Sequence, residues 1–548
     1  MKQPELVNAT REQLDELLAL AKAASFPQPQ YELLAGVLGT FIYVMQALQN
    51  AKTSLQRFRK MLFGARTESK AQIFKEIGGE AGQADADPAG TALAPDQLPA
   101  SAGTDTDNKK IKGHGRNGAD AYRGAPVVAI ALPDLKAGDT CPECVSGKVY
   151  DSPPRTIVKV IGQAPLAATV YKLARLRCRL CDAIFTAPLP EGVSPSKYDH
   201  SCATVLSLLR YGSGMPLYRI EQLQASLHMP VPDATQWEIV EAAAEGPRHA
   251  HEELIRQAAQ GELLHNDDTP ARILALMGER RAKAEAAGKP VPKTKAINTT
   301  GIVALVGERK VVLFFTGPAH AGTNLAQVLA HRAAHLRPPI QMCDALSANT
   351  KGDFVTFLSL CLAHGRRNFV EVAASFPEPC LHVIDVLASV YAHDAHARDA
   401  KMSPVQRLLH HRVNSHPLMR DLKKWMEQQL DEKQVEPNGG LGQAMRYMLK
   451  HWKGLTLFLR KAGAPLDNNV AERALKKAIT HRKNSLFYRS EHGAEIGDIF
   501  MSVIYTCESC GVNPFDYLQA LQQHAGDVAH HPQQWLPWNY HTTLAAIA

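Results

Sequence analysis

The stretch between residues 262 and 364 constrains the fold most, because short apolar runs alternate there with a segment of helical pattern. The runs occupy residues 263–268, 301–306, 310–315 and 340–344, and a fifth lies within 354–364. A helical pattern over 324–334 separates the third run from the fourth. Apolar runs of this length between turn signals are typical of buried strands, and strands mixed with helices predict an α/β fold.

Three carboxylates lie in or next to predicted strands and a predicted helix of this fold. The predicted order β-β-β-α-β-α-β places Asp267 in the first strand and Asp344 at the end of the fourth, which is an RNase H-like layout. This layout requires a third acid on a later helix, and Glu472 supplies it one turn inside a helix that Asp467 or Asn468 would cap. A single aspartate at a strand end is more often a turn or cap residue, so the prediction depends on the combination.

Carboxylates in this number indicate phosphoryl transfer. Two Mg²⁺ ions, or Mn²⁺ in their place, can stabilise the attacking and leaving oxygens of an in-line displacement, and such hard cations prefer oxygen ligands. We therefore predict that Asp267, Asp344 and Glu472 are both catalytic and metal-binding. In this interpretation the nucleophile is first water and then a DNA 3′-hydroxyl group.

Two C-x-x-C pairs predict a second kind of metal site. The pairs are Cys141 with Cys144 and Cys178 with Cys181. Each such turn places two thiolates on one ion, and two turns complete the tetrahedron of a structural Zn²⁺ site. Residues 126–190 are therefore predicted to form a zinc-ribbon-like module. Alternation along its strand puts Arg175, Arg177 and Arg179 on one face, which would either contact DNA phosphates or be a solvated strand face.

The region before the zinc module divides into a helix and a linker. Apolar residues between Tyr31 and Leu62 follow a heptad pattern, so residues 1–77 are predicted to be a helical region with a coiled coil that joins copies of the chain. An amphipathic helix packed on its own chain is the alternative. Residues 78–125 contain Gly, Ala, Pro and Asp with few large apolar side chains, which predicts a disordered linker. The amino-terminal residues contain no signal-peptide pattern, and no apolar stretch is long enough to span a bilayer, so we expect a cytoplasmic protein without membrane contact.

The remaining boundaries follow from helical patterns. Residues 195–247 predict a helix, a turn and a helix, with Asp233 or Thr235 as the second N-cap, which suits either a DNA-binding helix-turn-helix or an ordinary helical hairpin. Residues 248–375 and 462–515 are predicted to be the two parts of the catalytic core. The helical, basic segment 376–461 is an insertion between them that either contacts DNA or a second protomer, or is a structural bundle. Residues 516–548 are assigned to a C-terminal tail.

The net charge of +7 is small for a chain of 548 residues, but its distribution is informative. Cations collect around Glu472 and in the segment after the fifth strand. We predict DNA binding by these residues, which are Arg366, Arg367, Arg473, Lys476, Lys477, Arg482 and Lys483. His364 precedes the arginine pair and is predicted to orient groups near the site as a supporting residue.

Several of these segments resemble the transposases of the insertion-sequence-66 family. The matching segments are LFGARTES, the double C-x-x-C region, YGSGMPLYRIEQ, HNDDTP, the strand into Asp344, CLAHGRRNF, DNNVAERALKKAITHRKNSLF, SEHGA and WLPWN. The resemblance implies a DDE enzyme with an RNase H-like core and catalytic roles for Asp267, Asp344 and Glu472. Two departures from the family pattern stand out: Asp268 replaces a glutamate, and Ala345-Leu346 replace a Gly-Tyr pair.

The resemblance also implies a function. A transposase of this family would bind the terminal repeats of its element and join the 3′ ends to target DNA, as a homodimer or larger assembly, with accessory element-encoded proteins as further partners. Such a protein would associate with the bacterial nucleoid. The alternatives are a catalytically decayed copy that acts as a DNA-binding repressor, and another RNase H-like nuclease. A zinc-dependent hydrolase is disfavoured because four cysteines leave no open metal position.

Overall fold

The computed structural model describes residues 127–130, 132, 136–143, 146–150, 164–177, 184–286 and 297–547. The predicted coiled-coil region and linker lie outside these residues, as do Cys144, Cys178 and Cys181 of the predicted zinc site. The described residues before Pro165 belong to one compact unit, and those from Pro165 onward belong to another. In the smaller unit, Thr140 and Lys148 form an isolated antiparallel bridge, and the Cys141 backbone N–H donates to the Gly147 carbonyl at 2.8 Å.

Seven strands form two sheets in the described part of the larger unit. β1 (Arg175–Arg177) and β2 (Ile184–Thr186) pair antiparallel as a small sheet. The main sheet has the order β5-β4-β3-β6-β7. Its strands are β3 (Leu263–Ala271), β4 (Ile297–Val306), β5 (Arg309–Gly317), β6 (Ile340–Cys343) and β7 (Phe357–Leu360). β4 pairs antiparallel with both β3 and β5. On the other side of β3, β6 runs parallel to β3 and β7 runs parallel to β6.

The described residues contain sixteen α-helices. They are α1 His200–Ser207, α2 Leu217–Ser226, α3 Asp233–Ala242, α4 Glu245–Ala259, α5 Leu274–Ala286, α6 Ala321–Leu329, α7 Leu362–Val372, α8 Pro377–Asp399, α9 Pro404–Asp431, α10 Gly440–Lys450, α11 Trp452–Leu455, α12 Asn469–Ser485, α13 Glu491–Ser509, α14 Pro514–Gln523, α15 Ala525–His530 and α16 Tyr540–Ile547. Within this part of the chain, none of the helices has the length and hydropathy that crossing a membrane would require.

The mixed α/β class is confirmed, but the order of elements differs from the prediction. Helix α5 lies between β3 and β4, where no helix was expected, and a short 3-10 turn, Ser347–Asn349, stands in place of a helix between β6 and β7. The α5 sequence is rich in Ala, Leu, Glu and Arg, which are strong helix formers, so the helix follows from residue composition and not from an apolar run. The predicted order β-β-β-α-β-α-β is therefore wrong, and the observed order is β-α-β-β-α-β-β.

A tight hairpin joins β4 to β5, and this connection makes the two strands antiparallel. Val306 pairs with Arg309, which leaves a two-residue turn. Gly307 begins that turn with φ of +60°, a conformation that glycine adopts without steric cost. β4 is buried over most of its length because helices cover both faces of this sheet, which accounts for its continuous apolar run.

One edge strand of the main sheet is β5, and side chains of helix α13 form hydrogen bonds with its backbone. Asp498, Ser502 and Thr506 lie one turn apart on α13. Their side-chain oxygens accept hydrogen bonds from the backbone N–H groups of Thr316, Phe314 and Val312, at 2.5, 2.9 and 3.0 Å. Alternate N–H groups of the edge strand thus find partners in a helix, which also prevents pairing with a further strand.

The hydrophobic core has two main clusters. The larger packs α4, β4, β5 and α13 with the carboxyl-terminal helices, and the smaller packs β6, β7 and α7 with α8, α9 and α10. Residues 516–548, assigned to a tail on sequence, contribute the fully buried side chains of Tyr517 and Trp535 to the larger cluster. Residues 376–461 contain four helices, as the helical pattern of that segment predicts.

Candidate active site

Asp267 lies in the middle of β3, opposite Gly301 of β4. Its carboxyl group is largely withdrawn from solvent, and this burial raises its pKa to about 7. The negative charges of Asp344 and Glu472 raise the pKa further, against a hydrogen bond from the Asp268 backbone N–H that lowers it. The three acids that were predicted from sequence are therefore brought close enough to interact.

Asp344 follows β6, which is the parallel neighbour of β3. Its Oδ1 atom accepts hydrogen bonds from the Leu346 backbone N–H at 3.1 Å and from the Asn349 side-chain amide. The 3-10 turn after β6 therefore holds the carboxylate, although the family's usual Gly-Tyr pair is replaced here by Ala345-Leu346. The predicted strand end at this position was one residue too long, since β6 ends at Cys343.

Glu472 lies in the first turn of α12, as predicted, and is partly exposed. The residue at the N-cap is Asn468, whose side chain makes no capping bond, whereas Asp467 accepts from the Asn469 backbone N–H at 3.2 Å. Helix α12 approaches β4 closely because Gly301 has no side chain. A Cβ atom at Gly301 would lie 2.9 Å from Cδ2 of Leu475, inside van der Waals contact.

A network of buried amides joins the elements that carry the three acids. Asn468, just before α12, places its Oδ1 3.0 Å from His265 Nδ1 and donates to the Asn266 carbonyl at 3.1 Å. Asn266 in turn donates to the Asn349 carbonyl at 3.1 Å and accepts from Gln341 at 3.0 Å. All four amides are at most 1% exposed, so β3, β6, the 3-10 turn and the start of α12 are fixed relative to one another.

Sequence reasoning missed this network. The available signal was a polar Asn266 inside an apolar strand, together with the Asn468 and Asn469 pair before α12. His265 belongs to the same network, and burial lowers its pKa to about 4, so its imidazole is neutral at physiological pH.

The neighbouring acid, Asp268, is occupied elsewhere. Its Oδ1 accepts from the Thr300 hydroxyl at 2.6 Å, and its Oδ2 accepts from the Ala321 backbone N–H at 3.0 Å. His320 Nδ1 lies 3.2 Å from the same Oδ2 atom. Asp268 therefore holds the amino-terminal end of α6, which supports the assignment of Asp267, and not Asp268, to the carboxylate cluster.

A Cys-His-Glu group adjoins the carboxylates. Cys361 immediately precedes α7 and His364 lies in its first turn. The ligand atoms of Cys361, His364 and Glu472 all lie within 4.8 Å of one another, and His364 Nδ1 is 3.9 Å from Glu472 Oε1. The structure thus places His364 beside a predicted catalytic acid, which the C-x-x-H spacing alone could not show.

The predicted DNA-binding cations occupy different environments. On α12, Arg473, Lys476 and Lys483 are exposed. Lys477 lies 3.6 Å from Glu508 and covers the Tyr505 ring, and Arg482 donates to the Pro270 carbonyl at the end of β3. Arg366 is half-buried and Arg367 exposed on α7, and Arg175 is exposed on β1. The described part of the chain does not include the Arg177 side chain or Arg179. Of the four predicted zinc ligands it includes one, Cys141, which is half-buried.

Helices α2 and α3 confirm the helical pattern of the segment predicted as helix-turn-helix. The second helix begins differently from the prediction, because Pro232 is the N-cap residue and Asp233 is already helical. Neither Asp233 nor Thr235 is therefore the cap. The proline has a fixed φ suited to a helix start, and the negative charge of Asp233 is stabilised by the positive end of the helix dipole.

Comparison with known proteins gives one family. The sequence model of the family described as "Transposase IS66 family" matches residues 196–496, more than half of the chain. The chain is 31% identical over 188 residues to the uncharacterized protein y4jD of Sinorhizobium fredii, which covers 33% of this chain and 36% of that protein. It is 28% identical over 227 residues to the uncharacterized protein y4hP of the same organism, covering 36% of this chain and 38% of y4hP. The matched regions thus span little more than a third of either relative.

Proposed function

This chain belongs to the IS66 family of transposases, and from that premise we propose that it catalyses DNA strand cleavage and strand transfer with Asp267, Asp344 and Glu472. One observation carries the proposal. Buried amides join β3, β6 and the start of α12, the elements that carry three acids far apart in sequence, and the negative charges of Asp344 and Glu472 contribute to the raised pKa of Asp267. A cluster of this kind has no structural advantage, since like charges destabilise one another, so it is best explained by cation binding.

The residues fit divalent metal ions. Carboxylate oxygens are hard donors that suit Mg²⁺ or Mn²⁺, and a partly buried group of three acids requires positive charge to stay ionised. Bound there, two such ions would stabilise the attacking and leaving oxygens of a phosphodiester exchange. The protein's own contribution is positional: the 3-10 turn orients Asp344, β3 fixes Asp267, and the packing of α12 on Gly301 fixes Glu472.

DNA would approach along the exposed face of α12. Glu472, Lys476 and Lys483 follow one side of this helix, and both lysines are exposed. Lysines at such positions bind phosphates without reading sequence, so they would hold the DNA backbone while the acids act. Arg366, Arg367 and Arg473 would extend this surface. Arg482 serves mainly to attach α12 to β3, since its guanidinium donates to the Pro270 carbonyl and to the Thr269 hydroxyl.

The other modules complete the proposed protein. Cys141, Cys144, Cys178 and Cys181 would bind a structural Zn²⁺, and this module with Arg175, Arg177, Arg179 and helices α2 and α3 would recognise the terminal repeats of the element. The heptad pattern between Tyr31 and Leu62 would join two or more copies, with accessory element-encoded proteins as further partners. An RNase H-like core, a helical insertion over 376–461 and association with the nucleoid belong to the same proposal.

Strand transfer with labelled element ends tests the catalytic assignment. In Mg²⁺, the wild type should join ends to a target plasmid, and Asp267→Ala, Asp344→Ala and Glu472→Ala should each reduce joining by several orders of magnitude while still binding the ends. Asp268→Asn is the matched control, because it changes the neighbouring acid that contacts α6, and it should retain joining. Joining by all three alanine variants at wild-type rates would show that the assignment is wrong.

A further inference from the structure

We infer that Cys361, His364 and Glu472 form a binding site for a borderline-soft divalent cation of the Zn²⁺ class, next to the carboxylate cluster. The inference rests on the proposed function only in that Glu472 belongs to both sites. A thiol, an imidazole and a carboxylate are the three ligand types that zinc uses in proteins, whereas Mg²⁺ and Ca²⁺ prefer oxygen alone. Three protein ligands also leave a fourth position open, as in zinc sites that bind an exchangeable ligand.

The geometry is close to what such an ion needs. The three ligand atoms lie within 4.8 Å of one another. His364 Nδ1 and Glu472 Oε1 are 3.9 Å apart, which is too long for a hydrogen bond. Two donors on one tetrahedral zinc lie about 3.3 Å apart, given bond lengths of about 2.0–2.1 Å, so small side-chain movements would complete the site.

The imidazole of His364 supplies a second indication. Its Nδ1 atom is shielded from solvent and makes no hydrogen bond within the described residues, although the ring as a whole is partly exposed. A shielded nitrogen without a partner is costly unless something else satisfies it. A cation between Nδ1 and the Glu472 carboxylate would satisfy both groups.

The surroundings of Cys361 suit a metal-bound thiolate. The Asn468 backbone N–H donates to Cys361 Sγ at 3.3 Å. Cys361 is also the N-cap residue of α7, where the helix dipole favours negative charge. Cation binding would release the thiol proton to solvent, and the Asn468 N–H group would stabilise the sulfur ligand that results.

The consequence for the protein is a fixed Glu472. Helix α7 follows β7 directly, so a cation shared by Cys361, His364 and Glu472 would connect the far edge of the sheet to α12. Glu472 offers two oxygens, so a bond from Oε1 leaves the second oxygen available to a metal ion shared with Asp267 and Asp344. The cation would thus hold a predicted catalytic carboxylate in one orientation.

Cobalt spectroscopy on the full chain tests the inference. Co²⁺ replaces Zn²⁺ and reports thiolate ligands through charge-transfer absorption and tetrahedral geometry through visible bands. The predicted four-cysteine site would bind Co²⁺ as well, so the titration is done in a Cys141→Ser and Cys178→Ser background. One equivalent with a single-thiolate signal is expected there. Cys361→Ser should lose that signal, and His364→Gln should weaken binding at least about tenfold, the smallest loss expected even for a supporting group.

Cys343→Ser is the matched control, because Cys343 is also buried but lies outside the group of three ligands. It should bind Co²⁺ as the background does. His364 is partly exposed, so His364→Gln should fold even if Cys361→Ser does not, and circular dichroism checks both. Equal Co²⁺ affinity and identical spectra in the background, Cys361→Ser and His364→Gln proteins would overturn the inference.

The outcome is separable from that of the proposed function. Wild-type joining in Mg²⁺ without a thiolate–Co²⁺ signal would remove the soft-cation site and leave the transposase proposal intact. A Cys361-dependent Co²⁺ signal in a protein that joins no DNA ends would support the soft-cation site and contradict the proposed strand transfer.

Discussion

Asp267 and Asp268 are neighbours in β3, but their carboxyl groups meet different surroundings because successive side chains of a strand point to opposite faces. Asp268 contacts Thr300 and the start of α6 on one face. Asp267 pairs across the ladder with Gly301, where α12 approaches on the other face. A shift of one residue in the strand register would exchange the two roles.

Asp268→Ala should therefore affect stability more than chemistry. Loss of its hydrogen bonds leaves the Thr300 hydroxyl and the Ala321 N–H without their partner, which should lower the free energy of unfolding by about 1–3 kcal/mol. Joining activity per folded molecule should persist. Chemical denaturation and the strand-transfer assay measure the two effects, and an unchanged stability with abolished joining would contradict this assignment.

Asp498 gives the stability a pH dependence. Burial raises its pKa to about 7, although the Thr316 hydroxyl and N–H groups donate to it and lower the pKa in part. Between about pH 4 and pH 7 the folded chain then binds a proton that the unfolded chain releases, so this group makes the free energy of unfolding fall as the pH rises, by at most about 4 kcal/mol.

Asp498→Asn should remove that part of the slope. Denaturation of the wild type and the variant at about pH 5 and about pH 8 measures it, and the stability difference between the two proteins should change in favour of the variant at the higher pH. A constant difference at both pH values would mean that Asp498 does not titrate in this range.

At the scale of elements, the position of α12 on the sheet determines where Glu472 lies. Gly301 allows Leu475 to contact the backbone of β4, and Arg482 attaches the far end of the helix to β3. Leu475 lies about one turn after Glu472, so a displacement of the helix at this contact moves the carboxylate as well.

Gly301→Ala should disturb the packing of α12 on β4. The added Cβ would lie 2.9 Å from Leu475 Cδ2, so the Leu475 side chain or the helix that carries it must move. We expect a stability loss of about 1–3 kcal/mol and a reduction in joining of up to about 100-fold. Leu475→Ala in the same chain should restore part of the activity. Gly317→Ala in β5 is the control, since a Cβ there meets no atom within 4 Å. Equal joining rates for the Gly301 and Gly317 variants would refute the packing argument.

For the whole molecule, the carboxyl-terminal helices belong to the core. Trp535 is fully buried, donates to Asp527 at 2.7 Å and stacks on His524. The Tyr517 hydroxyl donates to the Trp535 carbonyl at 2.5 Å. These contacts join the carboxyl-terminal helices to one another, and Tyr517 and Trp535 lie in the same buried cluster as apolar side chains of α4 and α13. This part of the chain therefore contributes to folding.

Trp535→Ala should cost about 3–5 kcal/mol, the usual loss when a buried aromatic side chain is removed. Ile547→Ala in the last helix is the control, because that side chain is 54% exposed, and its effect should stay within about 0.5 kcal/mol. Denaturant titrations compare the two. A small effect at Trp535 would indicate that this region is not part of the cooperative core.

Local patterns in the sequence predicted much of the sheet. Apolar runs gave four of the five main strands to within a few residues, and the DNN-x-x-E segment gave the helix that carries Glu472. Apolar runs do not predict α5, whose signal is its content of helix-forming residues, and they do not distinguish the 3-10 turn after Asp344 from a helix. Coiled-coil, linker and zinc predictions fall largely on residues that the structure does not describe.

By itself the sequence determined the chemical inventory: three acids, a Cys-x-x-His spacing, a basic helix face and the resemblance to one transposase family. These depend on residue type and local spacing, which a linear pattern records. Only the tertiary structure decided that Asp267 and not Asp268 faces α12, that buried amides join the acid-bearing elements, and that Cys361 and His364 lie against Glu472. Such contacts join residues distant in the chain, so they follow from packing and strand register, which local periodicity does not contain.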